Sequence, residues 1–124
     1  EFISYDDIQI NYNQLQNLSK DVITNETWIN ALSAVNGIYL IKDTSIGKLY
    51  VGSAYGDNGI YGRWMSYAKN GHGGNIELKK LNPNNFEFSI LEIATKTASA
   101  DEVIHRESRW KEKLGTRKFG LNQN

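Results

Sequence analysis

Apolar residues recur along this chain in two rhythms, one near 3.6 residues and one of two, and the switches between them mark the elements. Ile8 and Ile10 alternate with polar neighbours, the pattern of a short edge strand. Asn11 with Gln14 three residues on has the form of a capping box, and Leu15 and Leu18 give the helix behind it one apolar side. Trp28, Ile29, Leu32 and Val35 predict a second helix over 26–35. The runs GIYLIKD at 37–43 and KLYVGSA at 48–54 read as two antiparallel strands, joined through Thr44, Ser45, Ile46 and Gly47. Ile60, Trp64, Tyr67 and Ala68 line one side of a helix over 60–70, stopped by Gly71. A short helix through Ile76, Leu78 and Leu81 ends at Asn82-Pro83. Phe86, Phe88 and Ile90 alternate with Glu87 and Ser89 before Leu91, which predicts a third main strand. Ser99 and Glu102 open a last helix that runs to Leu114 and stops at Gly115, with Val103, Ile104, Trp110 and Leu114 as its core stripe.

This order predicts a small α+β domain: a three-stranded, mainly antiparallel sheet flanked by helices, with a helical N-terminal extension. The extension, residues 1–35, is expected to hold a short strand and two helices and to pack Trp28 and Leu32 against the sheet; residues 36–124 form the main unit. A length of 124 residues leaves no room for a second full domain, and 40% hydrophobic with 23% charged residues is globular rather than disordered composition. The chain has no cysteine, which excludes disulfide scaffolds, cysteine zinc sites and thiol nucleophiles and suits a reducing compartment. No apolar run approaches the roughly 18 residues of a membrane span, and no signal peptide is visible, so a soluble, cytoplasmic protein without membrane partners is expected. The first residue is Glu1 rather than Met, as expected of a piece of a longer chain.

The formal net charge of zero conceals an asymmetry. Residues 1–57 carry three bases against seven acids, a balance of −4, and residues 58–124 carry eleven against seven, a balance of +4. Such polarity permits a basic face for a polyanion, and it is equally the pattern of ordinary solvated faces.

A few residues stand out against this background. Glu107 falls within the predicted core stripe of the last helix, four residues after Val103 and three after Ile104, where an ionised carboxylate is costly unless paired or bound to a cation. The bland explanations are a buried ion pair with an arginine or a stripe edge open to water; the functional one is a metal ligand at the mouth of a cleft. Arg63 and Tyr67, four apart, share a helix face and suit a phosphate oxygen, although a surface arginine beside a core tyrosine is common. Tyr39 and Tyr50 lie on neighbouring strands, as packing pairs usually do. His72 follows a helix end in a glycine-rich loop, where a cap or a solvated ring is the ordinary role.

Taken in order, these residues resemble the GIY-YIG nuclease domain family, the catalytic modules of certain homing endonucleases, excision-repair nucleases and restriction enzymes. Gly37-Ile38-Tyr39 and Tyr50-Val51-Gly52, with ten residues between the tyrosines, are followed by Arg63 on a helix, Glu107 on a later helix and Asn122 beyond it, and the similarity spans about 36–123. The resemblance implies that Tyr39 activates or positions water, that Tyr50 orients the phosphate, and that Arg63 neutralises it. It also implies that Glu107 is the sole protein ligand of a divalent metal and that Asn122 supports the site. Many members carry His where this chain has Tyr67, and a phenol accepts a proton less readily; His72 resembles a second histidine of some members. Val51 replaces the Ile of the second motif, and 53–62 is longer than in compact members, enough to reshape one cleft wall.

On this resemblance the expected function is a divalent-metal-dependent DNA endonuclease, using Mg²⁺ or Mn²⁺, with a non-catalytic nucleic-acid-binding module as the alternative. Magnesium keeps several waters and binds through one or two carboxylates plus substrate phosphate, so Glu107 suffices once DNA completes the shell, and metal alone should bind weakly. An unperturbed phenol has a pKa near 10, so ionising Tyr39 near neutrality needs about 3 to 4 kcal/mol of cationic help, for which Lys42, Lys48, Arg63 and the metal are the candidates. No helix-turn-helix, zinc finger or basic-region pattern is present, so site recognition is expected from another domain or partner. The whole reading requires two phenols, a guanidinium and a helical carboxylate to converge on one open hollow.

Overall fold

The computed structural model describes residues 2–124. Strand β1 (Gln9–Asn11) leads directly into helix α1 (Tyr12–Lys20), followed by α2 (Glu26–Ser33), β2 (Asn36–Asp43) and β3 (Lys48–Ala54). Helices α3 (Gly59–Asn70) and α4 (Ile76–Lys79) then precede β4 (Phe86–Ala94), α5 (Ala100–Leu114) and α6 (Thr116–Phe119). Single 3-10 turns at Tyr5–Asp7 and Pro83–Asn85 complete the described elements.

Local chemistry explains most of these boundaries. Asn11 accepts from the Gln14 backbone and Gln14 returns a bond to the Asn11 backbone, both at 2.8 Å, so α1 starts where the two orphan donors are met. Ser99 accepts from the Glu102 backbone at the start of α5, and the chain leaves that helix through Gly115 in the left-handed region. In the β2–β3 hairpin the buried Asp43 carboxylate accepts from the backbone and the hydroxyl of Ser45, which holds the turn against the strand ends.

Among the described residues the sheet has four antiparallel strands in the order β1-β4-β2-β3, not the three expected. The fourth is the N-terminal strand, which pairs along β4 with Ile10 opposite Phe88. Ile10 is buried there, and that burial turns an isolated two-residue alternation into a strand of the sheet. The extension thus supplies a sheet edge, while its helices pack chiefly on α3. Leu32 is fully buried, and Trp28, partly buried against the same core, meets Phe2 edge-on at 5.6 Å.

Each face of the sheet has its own core. Tyr39, Ile41, Phe86 and Phe88 pack with Leu15, Ile60, Trp64 and Tyr67 on the α1–α3 side. Ile38, Val51 and Ala94 pack with Val103 on the α5 side. The inward side of α5 runs through Val103, Glu107, Trp110 and Lys111; Ile104 and Leu114, expected in the core stripe, are exposed. That line rests on β2, β3 and β4, where Glu92 of β4 accepts from Arg106 and from the Trp110 indole, and it leaves the two apolar residues on its flanks in water. Strand β2 is central and buried almost throughout, and β3 forms one edge of the sheet.

Candidate active site

Strand β3 carries the site because it is an edge. Ile41 faces Tyr50 and Tyr39 faces Gly52 across the hairpin, so the two tyrosines project from the same side of the sheet. Ser53, opposite Ile38, projects to the other side, toward α5. Were β3 internal, these groups would be separated by the sheet. At the edge they border one open cleft of about 600 Å³, whose wall includes Tyr39, Tyr50, Ser53, Arg63, Glu107 and Lys111. The segment 53–62 forms much of the remaining wall, so the long connection before Arg63 does shape the cleft.

The motif glycines are explained by close approach. A Cβ on Gly52 would lie 2.4 Å from Cζ of Tyr39 and 2.5 Å from its hydroxyl oxygen, so this position is where the tyrosine ring crosses the neighbouring strand. On Gly37 a Cβ would lie 2.3 Å from the Glu92 carbonyl oxygen, next to the register shift between Ile38 and Tyr39 in the β2–β4 ladder. Gly52→Ala is expected to destabilise the fold by about 1 to 3 kcal/mol, the usual cost of overpacking, read as a lowered denaturant midpoint. An unchanged midpoint would mean that the Tyr39 ring is free to move aside.

Tyr39 is fully buried, closed in by the rings of Trp64 and Tyr67. Its hydroxyl shares a 2.6 Å hydrogen bond with that of Tyr67. Burial pushes the Tyr39 phenol well above the usual tyrosine range, and the nearby Arg63 guanidinium pulls it down without offsetting the shift. Burial likewise raises Tyr67. Of the side-chain cations considered, Lys42 is paired with Glu87 at 3.0 Å and Lys48 lies at the exposed start of β3, so the helper next to Tyr39 is Arg63.

These shifts have a measurable sign. A phenol whose folded-state pKa is raised contributes stability that is complete below the unfolded value of 10.0 and is lost as pH climbs through the folded value. Ultraviolet titration should therefore show only part of the seven tyrosines ionising near pH 10, the rest following with alkaline unfolding. Tyr39→Phe should shrink the late component. Reversible ionisation of all seven near pH 10 with the fold intact would mean that this pair is open to solvent.

Arg63 is half-buried at the margin of the α3 stripe. Its guanidinium lies over the Tyr67 ring, 4.9 Å from the centroid, and donates to Ser66 Oγ at 3.1 Å, to the Gly73 carbonyl at 3.4 Å and to the Tyr67 hydroxyl at 3.4 Å. These bonds occupy three of its five donors and leave two for an oxyanion in the cleft. The glycine-rich loop therefore reaches the site through the Gly73 carbonyl. His72 does not line the cleft; its Nδ1 accepts from the Gly74 backbone at 2.8 Å and closes the turn.

Glu107 reaches the cleft from the α5 side with 15% of its side chain exposed. The Ser53 hydroxyl donates to Oε1, and the Lys111 ammonium lies 2.7 Å from Oε2. The partner of this half-buried acid is thus a buried lysine one helical turn on, not an arginine. Neither Ser53 nor Lys111 was anticipated from sequence; the Glu-to-Lys i,i+4 spacing was the available signal for Lys111, and Ser53 had none. Asn122, buried beyond α6, accepts from the Val51 N–H and donates to the Val51 carbonyl, both at 2.9 Å. It satisfies the outer backbone of β3 between Tyr50 and Gly52 and so fixes the edge on which the site is built.

No group of three or more His, Cys, Asp or Glu positioned to hold a metal ion occurs among the described residues. A single carboxylate beside an open cleft still fits a hard cation that keeps most of its water and takes further oxygens from a substrate phosphate. No described helix is long and apolar enough to cross a membrane.

Comparison with known proteins agrees with this geometry. Residues 35–122 match the family described as the GIY-YIG catalytic domain. Among solved structures, the catalytic domain of the homing endonuclease I-TevI is 34% identical over 70% of this chain and 96% of its own, with a TM-score of 0.55. A glutamate-to-alanine mutant of the catalytic domain of the intron endonuclease I-TevI is 33% identical over 73% of this chain and 94% of its own, with a TM-score of 0.58. No curated protein matches the chain.

Proposed function

The chain belongs to the GIY-YIG family and has its nuclease fold, and from that premise we propose that it is a divalent-metal-dependent endonuclease domain that hydrolyses phosphodiester bonds in DNA. One observation carries the reading: Tyr50, Arg63 and Glu107, from a strand and from helices on opposite faces of the sheet, border a single open cleft around the β3 edge. Residues 36–124 are assigned as the catalytic unit and 1–35 as an extension that completes its sheet.

Each residue has a role suited to its surroundings. Arg63 binds the phosphate and stabilises the negative charge that grows on its non-bridging oxygens. Tyr50, partly exposed in the cleft, orients the same phosphate by hydrogen bonding. Tyr39 is a neutral phenol in its buried setting, so its environment supports positioning of the attacking water rather than abstraction of its proton. Tyr67 transmits the position of Arg63 to Tyr39 through its hydroxyl. Glu107, with substrate phosphate, would hold Mg²⁺ or Mn²⁺, which when bound polarises the phosphate and stabilises the leaving oxygen. Asn122 positions β3 without touching substrate.

A second reading, a nucleic-acid-binding module without turnover, is favoured by one observation: both Glu107 oxygens are already engaged within the protein. Supercoiled plasmid incubated with the chain separates the two. Nicked product with Mg²⁺ and none with EDTA supports the endonuclease; no Mg²⁺-dependent product at any protein concentration supports the module.

A further inference from the structure

A lysine side chain only 7% exposed is unusual, and Lys111 ends at the one carboxylate assigned to a metal. Its ammonium sits 2.7 Å from Glu107 Oε2, while the Ser53 hydroxyl holds Oε1. A divalent cation approaching Glu107 therefore meets a site whose charge is already neutralised. Both side chains border the same cleft as Arg63, so a phosphate entering there offers the ammonium a second anion within reach.

We propose that Lys111 is an exchangeable counter-ion and a positioning residue: it neutralises Glu107 in the free protein and transfers to a DNA phosphate when substrate arrives, freeing the carboxylate for the cation. This rests on Glu107 as the metal-holding carboxylate. No proton moves in the exchange; one ion pair is replaced by two, ammonium with phosphate and carboxylate with metal. The consequence is coupling. DNA raises metal affinity, metal raises DNA affinity by the same factor, and the free protein holds metal weakly. Phosphate that completes the metal's shell couples the two ligands by itself, so a lysine present merely to pack α5 would leave the coupling the same whether or not its charge is there.

The test measures Mn²⁺ binding to the whole chain from the electron paramagnetic resonance signal of free ion, with and without a short DNA duplex. Lys111→Met keeps the apolar stem and removes the charge; it should bind Mn²⁺ without DNA about tenfold more tightly than the parent chain and show a DNA enhancement smaller by about the same factor. Lys111→Arg should restore weak binding and the enhancement. Should Lys111→Met fail to fold by thermal melting, Lys111→Gln is judged by the same criteria. DNA-free Mn²⁺ affinity equal to or weaker than that of the parent would overturn the proposal. Adding Glu107→Gln to the lysine variant separates this failure from that of its premise. If the second change leaves Mn²⁺ binding intact, Glu107 is not the ligand and both readings fall. If it abolishes a binding that the lysine variant left at the parental level, only the exchange falls.

Discussion

Glu107→Ala is expected to reduce Mg²⁺-dependent nicking of plasmid DNA by about a thousandfold or more while metal-free DNA binding is retained. The magnitude follows from losing the only carboxylate assigned to the metal, where removing even one preorganised group at a developing charge costs about a hundred- to a thousandfold. Alanine also strands the Lys111 ammonium, only 7% exposed, so some loss of thermal stability should accompany it. Glu107→Gln isolates the chemistry. An amide in the same place can accept from Lys111 and donate to the Ser53 hydroxyl, so the fold keeps both bonds while the charge is gone. With divalent metal removed by EDTA, both variants should bind DNA as well as the parent or several-fold better, since an anion has left the cleft. Nicking of plasmid by either variant at the parental rate would reject the assignment of Glu107.

Arg63→Ala should lower turnover by about a hundred- to a thousandfold and weaken DNA binding only several-fold, because the two donors left free are assigned to charge that grows in the transition state. Arg63→Lys should recover binding but little of the rate, since an ammonium lacks the planar fork. Single-turnover kinetics with protein in excess separate the two quantities. A loss confined to binding, at unchanged turnover, would make Arg63 a docking contact. Its bonds to Tyr67 and Gly73 add a second expectation, a modest fall in melting temperature for the alanine variant.

Legibility in the sequence was uneven, and particular residues show why. The hairpin carrying Tyr39 and Tyr50, the helix carrying Arg63 and the helix carrying Glu107 were readable nearly to their ends. The signals that delimit the two helices, Gly71 after the first and the Ser99 cap and Gly115 around the second, act within one turn of chain. The inward face of α5 was misread because Ile104 looks apolar in isolation, whereas position 111, a lysine, is the one that turns inward. Strand β1 is only three residues long, and only its pairing with β4 distinguishes it from a loop. The family motif named Glu107 but not its partner, because a carboxylate's counter-charge depends on which groups share its desolvated space.

The amino-acid sequence by itself determined the elements, their order, the family and the residue types of the site, since propensity, capping and periodicity are short-range properties of the chain. Only the tertiary structure decided that β3 lies at a sheet edge, so that groups from both faces meet in one cleft, that Tyr39 is buried and pushed further from ionisation, and that Lys111 pairs with Glu107. The edge and the buried phenol depend on strand order and on exclusion of water, which involve residues tens of positions apart; the Glu107–Lys111 pair has a local i,i+4 spacing, but which side of α5 loses its water is again set by the distant strands beneath it.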